Sequence, residues 1–199
     1  MELNTVLRFP VLMIRTRWTL LARAFQFDTF MSEIGDAIEN RVPVKQIASK
    51  FERVDDDALQ ALTQHQLIDL TFMCARLGKL IPSTASSVIR EKAEDIIFRV
   101  DLSNENVTHI SRFLWSCASL GIRPYIPEDA GRRICTSDLS DKDYCTIVWA
   151  LAKFASPQHP ELLGLFTEVT NNLSEDRSRR LSGEDITNLL RSISLVYTR

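Results

Sequence analysis

Four stretches of the chain open on the same order of apolar and polar positions. Each runs leucine, hydroxyl residue, two further residues, polar residue, then an apolar position. They are Leu62-Thr63-Gln64-His65-Gln66 before Leu67, Leu102-Ser103-Asn104-Glu105-Asn106 before Val107, Leu139-Ser140-Asp141-Lys142-Asp143 before Tyr144, and Leu181-Ser182-Gly183-Glu184-Asp185 before Ile186. This pattern predicts helix N-termini. The hydroxyl caps the free amides of the first turn, the polar residue three on reaches back, and the leucine packs on the apolar residue beyond. The leucines recur at intervals of 40, 37 and 42 residues, a period typical of helical repeats that stack into solenoids.

The apolar pattern continues past each cap. Counting four, seven, eleven and fourteen residues on gives Leu67, Leu70, Cys74 and Leu77; Val107, Ile110, Leu114 and Cys117; Tyr144, Ile147, Leu151 and Phe154; and Ile186, Leu189, Ile193 and Val196. Each set is one stripe at helical spacing. The second helix also aligns by its tail, Leu114-Trp115-Ser116-Cys117-Ala118 against Val148-Trp149-Ala150-Leu151-Ala152. That match needs a three-residue shift, and with the Ser103 cap it would give this helix an extra turn. Both registers stand open on sequence alone.

Weaker helical patterns lie between. Val88, Ile89, Ala93, Ile96, Ile97 and Val100 form a face over 85–100, Pro127 suits the start of a short helix to about Cys135, and Pro160 suits another with Leu162, Phe166, Val169 and Leu173 inward. Residues 30–40 and 44–51 read as one or two further helices, and Asp55-Asp56-Asp57 as a solvated helix start. The predicted unit is helix–turn–helix with the capped helix second. No segment alternates with period two, and only six glycines punctuate the chain. The expectation is all-α: an α-solenoid of about four helix–turn–helix repeats over residues 28–199.

Charge sets residues 1–27 apart. They hold Arg8, Arg15, Arg17 and Arg23 against one acid, Glu2, whereas residues 28–199 hold 20 basic and 25 acidic side chains. Leu7, Phe9, Trp18, Phe25 and other apolar residues interleave with the arginines. An Arg-rich, acid-poor, amphipathic segment has the character of a mitochondrial import signal, and it also suits a docking helix. Its charges interrupt it too often for a membrane span. Overall composition, 45% hydrophobic and 25% charged, is that of an ordinary globular chain.

Candidate chemistry is sparse. Cys74, Cys117, Cys135 and Cys145 form no CxxC pair, and Cys74 and Cys117 fall on the predicted buried stripe. His65, His109 and His159 lie far apart in sequence, the first two near helix starts where solvated histidines are ordinary. No phosphate-binding glycine loop, HExxH or GxSxG is present. The expectation is a protein with no catalytic residues, cofactor or metal.

Two helices carry a family resemblance. Phe113-Leu114-Trp115-Ser116-Cys117-Ala118-Ser119-Leu120-Gly121 and Ile147-Val148-Trp149-Ala150-Leu151-Ala152-Lys153-Phe154-Ala155 resemble the "LWALAKLG" helix of octotricopeptide and heptatricopeptide repeats and of the helical region of FAST-kinase-like proteins with RAP domains. Phe72-Met73-Cys74-Ala75-Arg76-Leu77-Gly78 is a looser copy, and residues 190–196 looser still. The resemblance covers about 62–199, and no RAP domain follows within the sequence. It implies organellar RNA work: a non-catalytic mitochondrial component of a large RNA-containing assembly, the mitochondrial ribosome first. Its partners would be ribosomal or other mitochondrial RNA and neighbouring proteins. The alternative is a protein-only scaffold or an accessory subunit of another mitochondrial complex. The mild acidity of the repeats counts against a conventional RNA-tracking groove, which is basic. Candidate RNA-contacting residues are Arg8, Arg15, Arg17 and Arg23, with Arg76, Arg112, Lys153 and Arg191 on or near the capped helices and Arg132 and Arg133 on the short helix after Pro127.

Overall fold

The computed structural model describes residues 26–51, 53–80 and 86–198. The candidate import segment and its four arginines therefore lie outside the described residues, apart from its last two positions. Helix α1 spans Phe27–Glu39, α2 Val44–Phe51 and α3 Asp56–Ala61. Then come α4 over Gln64–Leu80, α5 over Ser86–Ile97 and α6 over Val107–Leu120. Helix α7 covers Glu128–Thr136, α8 Asp141–Phe154 and α9 Pro160–Asn171. Two more, α10 over Glu175–Arg180 and α11 over Gly183–Tyr197, complete the set. No strand occurs among the described residues, and none of their helices is long and apolar enough to cross a membrane.

Three of the four capped starts form as the pattern predicts. At α4, the Gln66 amide donates to Thr63 Oγ1 at 3.3 Å while the Thr63 amide donates to Gln66 Oε1 at 3.0 Å. At α8, the Asp143 amide donates to Ser140 Oγ at 3.1 Å. At α11, Ser182 and Asp185 close a full reciprocal box.

The fourth start is displaced. Helix α6 begins at Val107, and its cap is Asn106, whose side chain accepts from the His109 amide at 2.9 Å. Ser103 is not the cap. Its amide donates to Asp101 Oδ1, and the Glu105 amide donates to the Leu102 carbonyl, so residues 101–105 form a turn around the fully buried Leu102. Asparagine caps as well as serine, and the later start costs no apolar position. Counting from Asn106, the stripe becomes Ile110, Phe113, Cys117 and Leu120. The tail alignment is therefore the correct one. No extra turn is present, since α6 and α8 both have 14 residues.

The capped helices lie side by side in chain order: α4 packs on α6, α6 on α8 and α8 on α11. The flanking helices add a second layer, α5 against α4, α7 against α6 and α9 against α8. Each flanking helix thus packs on the capped helix before it, so the capped helix leads its pair rather than coming second. Helix α1 rests on α4 and α2 on α5. One continuous apolar core runs from Phe30 to Val196. The weaker patterns hold in outline. Pro160 opens α9, and Pro127 caps α7 rather than entering it. In α5 the buried face is Ile89, Ala93, Ile96 and Ile97, while Val88 is exposed. Helix α10 carries no apolar stripe and has no counterpart in the sequence reading. At the end of the row, Leu190 is exposed where its counterpart Val148 is buried, because no described helix covers that side of α11.

Candidate functional site

Equivalent positions on neighbouring capped helices touch. Six residues past their caps, Arg112 on α6 donates to Asp69 on α4. Nine past, the rings of Phe72 and Trp115 meet at 5.2 Å between centroids. A helix turns about 100° per residue, so positions six, nine and thirteen point away from the buried stripe at four, seven, eleven and fourteen. The ninth position along the row reads Phe72, Trp115, Trp149, Arg191. Cations sit over these rings: Arg112 is 5.2 Å from the Phe72 centroid, Lys79 4.2 Å from Trp115 and Lys153 5.4 Å from Trp149. The three outward positions on four helices hold Arg76, Arg112, Lys153 and Arg191 against one acid, Asp69. The face is locally positive in a region that carries more acids than bases.

The sequence-predicted residues fall into three groups. Arg76, Arg112, Lys153 and Arg191 share this outward face, and Arg76 and Arg191 are exposed without an ion pair to another described residue. Arg132 and Arg133 are elsewhere. Arg132 stays on α7, paired with Glu128 at 2.8 Å. Arg133 turns inward and donates from Nη2 to the Leu102 carbonyl at 2.5 Å, with its Nε buried and unpartnered. Arg8, Arg15, Arg17 and Arg23 lie outside the described residues.

Phe72, Trp115, Trp149 and Lys79 were not singled out as contact residues. The signal for them was the tail alignment, which sets Trp115 opposite Trp149. Phe72 and Trp149 each stand nine past their own caps, and the displaced cap of α6 brings Trp115 into the same column.

A second cluster joins residues that the sequence holds far apart. Glu105 Oε2 lies 2.9 Å from His109 Nδ1 and 3.5 Å from His65 Nδ1. The two imidazole centroids are 3.6 Å apart at 80°. A third feature is a groove of about 600 Å³ between the 123–128 segment, α7 and α9. Phe98 and Tyr125, 80% and 81% exposed, stand at its rim, and Glu128, Glu161 and Glu168 line it with Leu162 and Leu165.

Burial holds the four cysteine thiols in their neutral form. Burial pushes the Cys74 thiol up to about 12 and that of Cys117 higher still; burial also raises Cys135 and Cys145 to about 11. At such values the nucleophilic thiolate is scarce. No family model, curated protein or solved structure matches the chain.

Proposed function

We propose that this chain is a non-catalytic α-solenoid that binds single-stranded RNA along the outward face of its capped helices, as a component of a mitochondrial RNA-containing assembly. The ribosome of that organelle is the first setting to test. The observation that carries the reading is the column Phe72, Trp115, Trp149, Arg191 with its overlying cations. Splayed bases stack on aromatic rings and guanidinium planes without regard to sequence. Surrounding cations hold the phosphates. The bland account of the same residues is a set of surface cation–π pairs worth about 0.5–1 kcal/mol each. It explains each pair but not the common register of the rings on successive helices. The arginine-rich segment 1–27 supports the location and supplies further phosphate contacts.

The test is a fluorescence-anisotropy titration of the full chain with unstructured RNA across salt concentrations. Trp115→Ala and Trp149→Ala should each weaken binding by about 1–3 kcal/mol, and Lys153→Glu should flatten the salt dependence. Because residues 28–199 are mildly acidic, replacing Arg8, Arg15, Arg17 and Arg23 with glutamate should cost more affinity at physiological salt than any single substitution on the face. Tryptophan variants that bind like the parent would remove the stacking face from the proposal.

The groove beside Phe98 and Tyr125 favours a second reading, a protein-only scaffold, because two exposed aromatics beside a cleft of mixed apolar and charged lining suit a protein partner. If no variant alters RNA binding but Phe98→Ala with Tyr125→Ala releases the chain from its assembly, the scaffold reading stands instead.

A further inference from the structure

Residues 40 and 44 positions apart converge at the start of two neighbouring capped helices. His65 sits in the first turn of α4 and His109 in the first turn of α6, while Glu105 comes from the turn just before α6. One donor atom from each of the three lies within 4.8 Å of the others.

We propose that His65, Glu105 and His109 form a zinc site that clips α4 to α6, with three protein ligands and the fourth position open to water. Geometry is the first argument. A tetrahedral ion with bonds of ~2.0–2.1 Å holds its ligand atoms about 3.3–3.4 Å apart. The two measured edges at Glu105 Oε2, 2.9 and 3.5 Å, straddle that spacing. The imidazole rings are closer than the ~4.5–7 Å usual for aromatic pairs, so seating the ion requires one ring to swing aside. His65 is the ring free to do so, with its side chain 56% exposed.

Charge is the second argument. The Glu105 side chain is only 10% exposed, and among the described residues no lysine or arginine pairs with it. A buried carboxylate needs compensating charge or hydrogen bonds; Glu105 Oε2 has a hydrogen bond with His109 Nδ1 at 2.9 Å, and a divalent cation between the carboxylate and the two imidazoles would add the charge. Two nitrogens and one oxygen suit zinc better than calcium or magnesium, which take oxygen shells.

The site is also preorganised. The turn that carries Glu105 is tied on both sides. Gln64 Oε1 on α4 accepts from the Asp101 amide at 2.8 Å, and Arg133 on α7 donates to the Leu102 carbonyl at 2.5 Å. The backbone of the turn that presents Glu105 is held by contacts that do not involve an ion, as a binding site requires.

The test uses the untagged full chain and cobalt(II), a spectroscopic stand-in for zinc. One equivalent of Co²⁺ should give the visible d–d bands of a four-coordinate ion, and Zn²⁺ should bleach them. Zn²⁺ should also raise the thermal unfolding midpoint, and a chelator should reverse the rise. His109→Ala and Glu105→Gln should abolish the bands. His65→Ala, at the exposed edge, should keep the parent's far-UV circular dichroism yet lose roughly tenfold or more in affinity, at least the cost of losing a supporting partner. His159→Ala should change nothing. Absence of the bands, a thiolate-to-cobalt charge-transfer band, or affinity unchanged in His65→Ala would each overturn the site. If Glu105→Gln fails to fold, His65→Ala still decides.

Discussion

Leu151 sits eleven residues past the cap of α8 and is buried, on a helix that packs against α6, α9 and α11. Removing most of its side chain leaves a cavity that close packing cannot refill. Leu151→Ala should therefore lower stability by about 2–5 kcal/mol in urea unfolding, and a change near zero would mean the stripe is not the core. Residues of this kind were legible from sequence because burial follows helical spacing. Cys74 and Cys117 were legible for the same reason, as members of the stripe. His65, Glu105 and His109 were not. Their meeting depends on two helices that start at Gln64 and Val107 lying at the same level, and no spacing within one helix encodes that. Arg133 was misleading in the opposite sense. As an arginine on a short polar helix it reads as a surface cation, yet its guanidinium reaches inward to the Leu102 carbonyl, which also accepts from the Glu105 amide.

The element scale shows why local patterns locate helices better than they locate ends. Four identical-looking starts gave three caps, because a capping serine competes with any good cap a few residues on. At 103 the backbone is drawn into a turn by Asp101 and the buried Leu102, and Asn106 takes over. The two positions make opposite predictions. Asn106→Ala should cost about 1 kcal/mol, as should Ser182→Ala. Ser103→Ala should cost much less in the same unfolding assay, and an equal loss at 103 and 106 would restore the earlier start. Pairing order was likewise beyond the sequence. The flanking helices α5, α7 and α9 are short of distinctive pattern, and only packing decides which capped helix each one covers.

For the molecule as a whole, the all-helical class followed from the absence of period-two alternation, while the side-by-side row required the structure. The mitochondrial location is tested on residues 1–27, of which all but the last two lie outside the described residues. A reporter fused to them should enter mitochondria, and changing Arg8, Arg15, Arg17 and Arg23 to glutamate should stop import. Cytosolic retention of the unaltered fusion would leave that segment as a docking helix. The bridges between neighbouring units also have a mechanical consequence. Arg99 reaches Asp56, Arg112 reaches Asp69 and Arg180 reaches Asp141, across 43, 43 and 39 residues. Each of these spans about one period, and none ties the first unit to the last. Among the described residues, no ion pair straps the first unit to the last, so a row pulled by its two ends has none there to share the force along its length. It would part first at its weakest joint and leave the units on either side folded, lengthening in steps rather than giving way all at once.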